Sequence, residues 1–112
     1  MILKYNSCVQ VASVSVLATP TAIFGAPKNV GGAQCSVTIP LHNLTGFLYL
    51  VAVPLGGKQV DNITAPDAAF MTNYGTQWSS SDKVATLNIG DDCQIFGMTS
   101  TGTFSAYPTV WN

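Results

Sequence analysis

The sequence predicts an all-β protein, an antiparallel β-sandwich or jelly roll of about seven to eight short strands. Three observations carry this expectation. The 112 residues include four lysines and five aspartates but no arginine and no glutamate, and only 8% are charged. Arg and Glu, with Lys, populate exposed helical surface, so a chain that omits two of them and is rich in Val, Thr, Ser and Gly is not written for helices. Several stretches alternate apolar with small polar side chains, the period of a strand with one face buried. Turn formers recur about every 8–12 residues, as they do in small sandwiches. At this length one domain spanning 1–112 with a single core is expected, with residues 1–8 as an extended N-terminal arm.

The elements follow in chain order. In "VQVASVSVL" (9–17) the alternation changes phase near Ala12, since Val9 and Val11 are odd and Val14 and Val16 even. A bulge there would return both pairs to one face. After Pro20, "TAIF" is a short extended piece, and 25–34 is dense in Gly, Pro and Asn. "CSVTIPL" (35–41) is a half-buried strand with Val37, Ile39 and Leu41 on one face, and "HNLTG" (42–46) is the turn that follows. The stretch "GFLYLVAVPL" (46–55) is a strand ending at Pro54, and "GGK" (56–58) begins another reversal. Segment 61–82 is the least regular: "TAPDAAFM" suits one helical turn and "NYGTQWSSSD" a loop or edge strand. "KVATLNI" (83–89) is a strand, 90–92 a turn, "CQIFGM" (93–98) a mostly buried strand and "TSTG" a tight turn, before the closing strands "TFSAY" and "TVW".

The strand at 46–55 poses a physical problem. It carries Phe47, Tyr49, Val51 and Val53 on one face and Leu48, Leu50 and Ala52 on the other, so both faces are apolar. One face belongs to the core, and the other needs a cover: the N-terminal arm, segment 61–82 or a neighbouring copy. A hydrophobic fraction of 47% beside a net charge of −1 favours association over free diffusion. The candidate contact residues are Leu48, Leu50, Phe70, Trp78 and Trp111.

The residues offer little for catalysis. His42 is the only histidine and sits in a predicted turn, so a His-based metal cluster is excluded, and a Ser/His/Asp or Cys/His apparatus would have to use this residue, which in a turn reads as inert. No GxSxG, HExxH or P-loop pattern occurs. Asp91 and Asp92 are adjacent in a turn, where their expected role is local hydrogen bonding to backbone amides. Oxygen ligands for calcium could come from Asp61, Asn62, Asp67 or Asp82, but without ordered spacing. No enzyme activity, metal or cofactor is expected. Without arginine and with a slight negative charge, direct nucleic-acid binding is not expected either. The start of the chain only superficially resembles a secretory signal, because Asn6, Ser7, Gln10, Ser13 and Ser15 interrupt its apolar run, and no stretch is apolar enough for a transmembrane helix. Cys8, Cys35 and Cys93 form no CxxC pair and cannot all pair within the chain; reduced buried thiols are the expected state, with one disulfide plus a spare thiol as the alternative. Phe70, Tyr74 and Trp78 recur at four-residue intervals, but Asn73, Gly75 and Thr76 oppose a helix there. They read as core plugs, subunit contacts or a sugar-stacking platform.

From "VTIPLHNLTGFLYLVAV" through "ITAPDAAF" to "IGDDCQIFGMTSTGTFSAYPTVW", the order of features resembles small all-β virion proteins of bacteriophages, of the head-decoration, cement or minor-capsid type. The resemblance implies a structural virion protein that partners with copies of itself or a major capsid protein. A carbohydrate-binding or lectin-like module is the alternative, with Tyr74 and Trp78 as the stacking surface. A secreted adhesin or pilus-type subunit is a third.

Overall fold

The predicted alternation becomes strand pairing in the computed structural model, which describes residues 8–26, 35–56, 63–89 and 92–111. Among these residues ten strands form: β1 (Cys8–Gln10), β2 (Val14–Val16), β3 (Thr21–Ala26), β4 (Cys35–Pro40), β5 (Phe47–Pro54), β6 (Thr76–Ser79), β7 (Val84–Ile89), β8 (Cys93–Thr99), β9 (Phe104–Ala106) and β10 (Thr109–Trp111). One helix, α1 (Ala68–Tyr74), precedes β6, and a 3₁₀ turn at Ser80–Asp82 follows it. Most of the expected N-terminal arm lies outside the described residues. So do turn residues 27–34, the reversal at 57–62 and residues 90 and 91.

All pairings are antiparallel, and the strand order identifies the topology. One sheet runs β1-β10-β4-β7, a second runs β3-β8-β5-β6, and a ribbon β2-β9 stands between them. β1 and β2 are two halves of one interrupted strand, paired with β10 and β9, the two halves of another. With each broken strand counted once, first pairs with last, second with seventh, third with sixth and fourth with fifth. That nested order, wrapped into two facing sheets, is the jelly roll. The phase change read near Ala12 is a break between β1 and β2 rather than a single bulge, matched across the ribbon by the break at Tyr107 and Pro108. A register shift does occur in the second sheet, between Ala22 and Phe24 of β3.

The core lies between the sheets. Val37, Ile39, Ala85, Ile89 and Val110 point inward from the first sheet, and Ile23, Leu48, Leu50 and Ile95 from the second, with Val16, Phe104 and Ala106 closing the side. At Gly97 in β8 a Cβ would stand 2.5 Å from Ile23 Cδ1 and 3.2 Å from Leu50 Cδ2, so the absent side chain leaves room for the inward side chains of the two flanking strands, β3 and β5. Leu48 and Leu50 are 0% and 1% exposed. These two are therefore core residues and not the contact residues expected from the sequence. β5 turns its even-numbered face inward, because Leu48 pairs with Trp78 and the inner face of β8 on its flanks.

From Tyr49 to Val53 the odd-numbered face of β5 is covered by the chain itself, while Phe47 stays exposed. Met71 of α1 is fully buried on Phe96 and Met98 of β8, with Tyr49, Val51 and Val53 of β5 and Ile63 packed around them. The helix starts where Asp67 Oδ1 accepts the Phe70 N–H at 2.8 Å, an N-cap bond. It ends at Gly75, whose N–H bonds the Met71 carbonyl and whose missing Cβ would strike that same oxygen. Asn73 is accommodated inside the helix, contrary to the expectation that it would oppose one. A single buried methionine outweighs the small propensity cost of one Asn.

Candidate interaction face

With α1 over the outside of the second sheet, the outer face of the first sheet is left as the broad uncovered surface of the described body. Its composition follows from the alternation. In β4, β7 and β10 the inward positions are apolar, so Ser36, Thr38, Pro40, Val84, Thr86, Asn88, Thr109 and Trp111 face outward. The registers arrange them in transverse rows. Trp111 lies beside Ser36 and Ser36 beside Asn88; Thr109 beside Thr38 and Thr38 beside Thr86; Pro40 beside Val84. Tyr107 leads into the strand from the Pro40 end. None of these side chains is charged.

Hydrogen bonds hold the face in place. The Trp111 indole N–H donates to Thr38 Oγ1 at 2.9 Å, so the ring reaches diagonally over β4 while staying 47% exposed. Ser36 Oγ donates to Asn88 Oδ1 at 2.5 Å. Thr38 Oγ1 lies 3.5 Å from the Thr109 carbonyl, at the edge of donating range. Val84 and Tyr107 are 44% and 43% exposed. The result is a neutral surface preorganised by its own hydrogen bonds, with Trp111 at the end of β10 and Tyr107 just before its start.

Of the predicted contact residues, only Trp111 belongs to this face. Phe70 is exposed on α1, its ring 5.0 Å from that of Tyr74 and tilted by 42°, on the other side of the sandwich. Trp78 is half-buried, packs against the main core, and its Nε1 is buried with no hydrogen-bond partner among the described residues. Tyr74 and Trp78 therefore do not form one stacking platform, since the first lies on the helix surface and the second points inward. Sequence reading missed Tyr107, Val84 and Thr109. The usable signal was the even/odd alternation of 84–89 and 107–111 taken together, but only strand pairing places those two segments on one sheet. A second, smaller apolar spot lies at the turn end, where Leu17 and Phe47 are exposed and flank β8. There the Leu17 carbonyl accepts from Thr99 N and the Phe47 carbonyl from Ser100 N.

Comparison with protein-family models, curated proteins and solved structures finds no match in any of the three. The functional reading rests on this chain's own residues. Among the described residues no group of three or more His, Cys, Asp and Glu side chains is placed to hold a metal ion. Asp67 and Asp82 are spent locally, the first as the cap of α1 and the second accepting the Ser79 N–H at 2.8 Å. Asp61, Asn62 and Asp91 lie outside the described residues, as do the side chains of Cys8 and Cys35. Cys93 is half-buried at the start of β8. No helix among the described residues is long and apolar enough to cross a membrane.

Proposed function

We propose that this protein is a non-enzymatic structural subunit of a virus particle, a capsid decoration (cement) or minor-capsid component that acts by packing against copies of itself or a major capsid protein. The observation that carries the reading is the uncharged outer face of the first sheet. An antiparallel sheet whose outer face stays in water ordinarily presents Lys and Glu there, which keep it solvated and discourage association. Here the face offers Tyr107, Pro40, Val84 and Trp111 among hydroxyls, a composition suited to a neighbour that satisfies the hydroxyls and buries the rings. The jelly-roll order supports the same reading, because capsid proteins use it. Lectins and cupins use it too, so the face and not the fold is decisive. The subunit would be made in the host cytoplasm and work within the virion.

The test is incorporation. Purified particles should contain the chain at a fixed ratio to the shell protein, and Tyr107→Lys with Trp111→Lys should abolish incorporation while leaving the β circular-dichroism signal intact. Particles that lack the chain, or incorporate the double variant at the wild-type ratio, would refute the reading.

One observation favours carbohydrate binding as a second reading. An aromatic ring tethered by its own N–H beside Ser36, Thr109 and Asn88 is also what a sugar ring stacks on. The stacking residue would be Trp111, not Trp78 or Tyr74. A glycan array and a tryptophan-fluorescence titration with oligosaccharides check this, with Trp111→Ala expected to abolish any response.

A further inference from the structure

The chain has three methionines, and the two that lie among the described residues, Met71 and Met98, sit together. Between the sheets the described core is built from Val, Ile, Leu, Phe and Ala and contains no methionine. Both thioethers belong instead to the separate cluster around Phe96 beneath α1, and both are buried there. A methionine fills such a space about as well as a leucine, but its sulfur can be oxidised. The oxidisable part of the interior is therefore concentrated under a helix that belongs to neither sheet.

Little else holds that helix down. Ala68, Ala69, Phe70, Thr72, Asn73 and Tyr74 are all exposed, so Met71 is the side chain that seats it. The cap bonds at its two ends, Phe70 N–H to Asp67 Oδ1 and Gly75 N–H to the Met71 carbonyl, are made within the segment and do not tie it to the sheet. A seven-residue helix with one anchor opens locally more often than the strands part. Each opening brings the Met71 sulfur to water while the sandwich stays closed.

We propose that α1 is a peroxide-sensitive latch, closed while Met71 is a thioether and held open once Met71 is a sulfoxide. During an opening the Met71 sulfur attacks the terminal oxygen of a hydroperoxide. An S–O bond forms, the O–O bond breaks, and the proton on the attacked oxygen passes to the leaving one, which departs as water or an alcohol. Sulfur loses two electrons and the peroxide gains them. The product keeps the length of the side chain but carries a dipolar oxygen. In the closed state its neighbours are Phe96, Met98, Val51, Val53 and Ile63, whose side chains have no hydrogen to donate, and the half-buried Tyr49. Returning the sulfoxide to that cluster forfeits its hydrogen bonds to water, so the oxidised helix stays off. What it leaves bare is an apolar strip of Tyr49, Val51, Val53, Phe96 and Met98 on the outside of the second sheet. The latch is independent of the assembly reading, whose face belongs to the other sheet.

Hydrogen peroxide on the folded full chain tests it. Peptide mass spectrometry should find one added oxygen on Met71 while the β circular-dichroism signal is still that of the untreated protein. In the oxidised protein amide exchange across 64–75 should be faster by about tenfold or more, with β4 and β10 unchanged, and binding of a hydrophobic dye should rise. Treatment with methionine sulfoxide reductases should restore slow exchange. Met71→Leu conserves the volume that seats the helix, so after the same peroxide treatment its 64–75 segment should exchange as slowly as before. Three results would each overturn the latch: Met71 gains no oxygen while the sheets stay folded, the Met71 sulfoxide form exchanges across 64–75 at the untreated rate, or Met71→Leu opens as far as the wild type does.

Discussion

Replacing Met71 by Ala should detach α1 from the sandwich without unfolding the sandwich. The helix has seven residues, too few to persist alone in water, and Met71 is its only fully buried side chain. The methionine sits on Phe96 and Met98, in a cluster separate from the main core. Truncating a buried Met to Ala costs about 2–5 kcal/mol, and the low end applies where one short element can settle into the gap. A cost of about 2 kcal/mol, charged mainly to the helix, corresponds to roughly 30-fold faster local opening. Hydrogen exchange read by mass spectrometry should therefore show that acceleration in peptides covering 64–75, with much smaller changes in β4, β8 and β10. Newly bared Phe96 and Met98 should raise binding of a hydrophobic dye. Equal acceleration in every strand would refute the reasoning, because it would mean that α1 and the core open as one unit. Unchanged exchange in 64–75 would refute it as well, since the N-cap and C-cap would then be holding the helix.

Further outcomes follow from the same packing. Leu50→Ala should cost about 3–4 kcal/mol in urea titration, well beyond any surface change, because both sheets close over it. Gly97→Ala should destabilise by about 1–3 kcal/mol, since Ile23 and Leu50 can yield only by moving their side-chain ends, and Gly97→Leu should prevent folding. Asp67→Ala removes the cap bond to Phe70 and should lower stability by about 1 kcal/mol, read as a shift in midpoint with little change in slope. Trp111→Phe loses the bond to Thr38 and should leave thermal stability within about 1 kcal/mol of wild type while reducing incorporation into particles.

The sequence by itself determined the class of fold. The absence of Arg and Glu, alternation at 35–41 and 85–89, and regularly spaced turns sufficed to give an antiparallel sandwich, because backbone period and turn chemistry are local properties. The loop-or-edge-strand reading of 73–82 and the helical turn in 64–71 came from the same local rules, as did the apolar character of both faces of β5.

Tertiary structure alone decided which face of β5 was inner. Leu48 and Leu50 face the core and Tyr49 lies under Met71, an outcome fixed by pairing with β6 and β8 across the chain and invisible to a two-residue period, which is symmetric between faces. The same holds for the candidate face. Trp111, Thr38 and Thr86 are distant in sequence, and they share one surface only because β10, β4 and β7 are consecutive in a sheet that the jelly-roll winding assembles from both halves of the chain. Alternation is written residue by residue, whereas adjacency between strands is settled by how much apolar surface each possible arrangement removes from water.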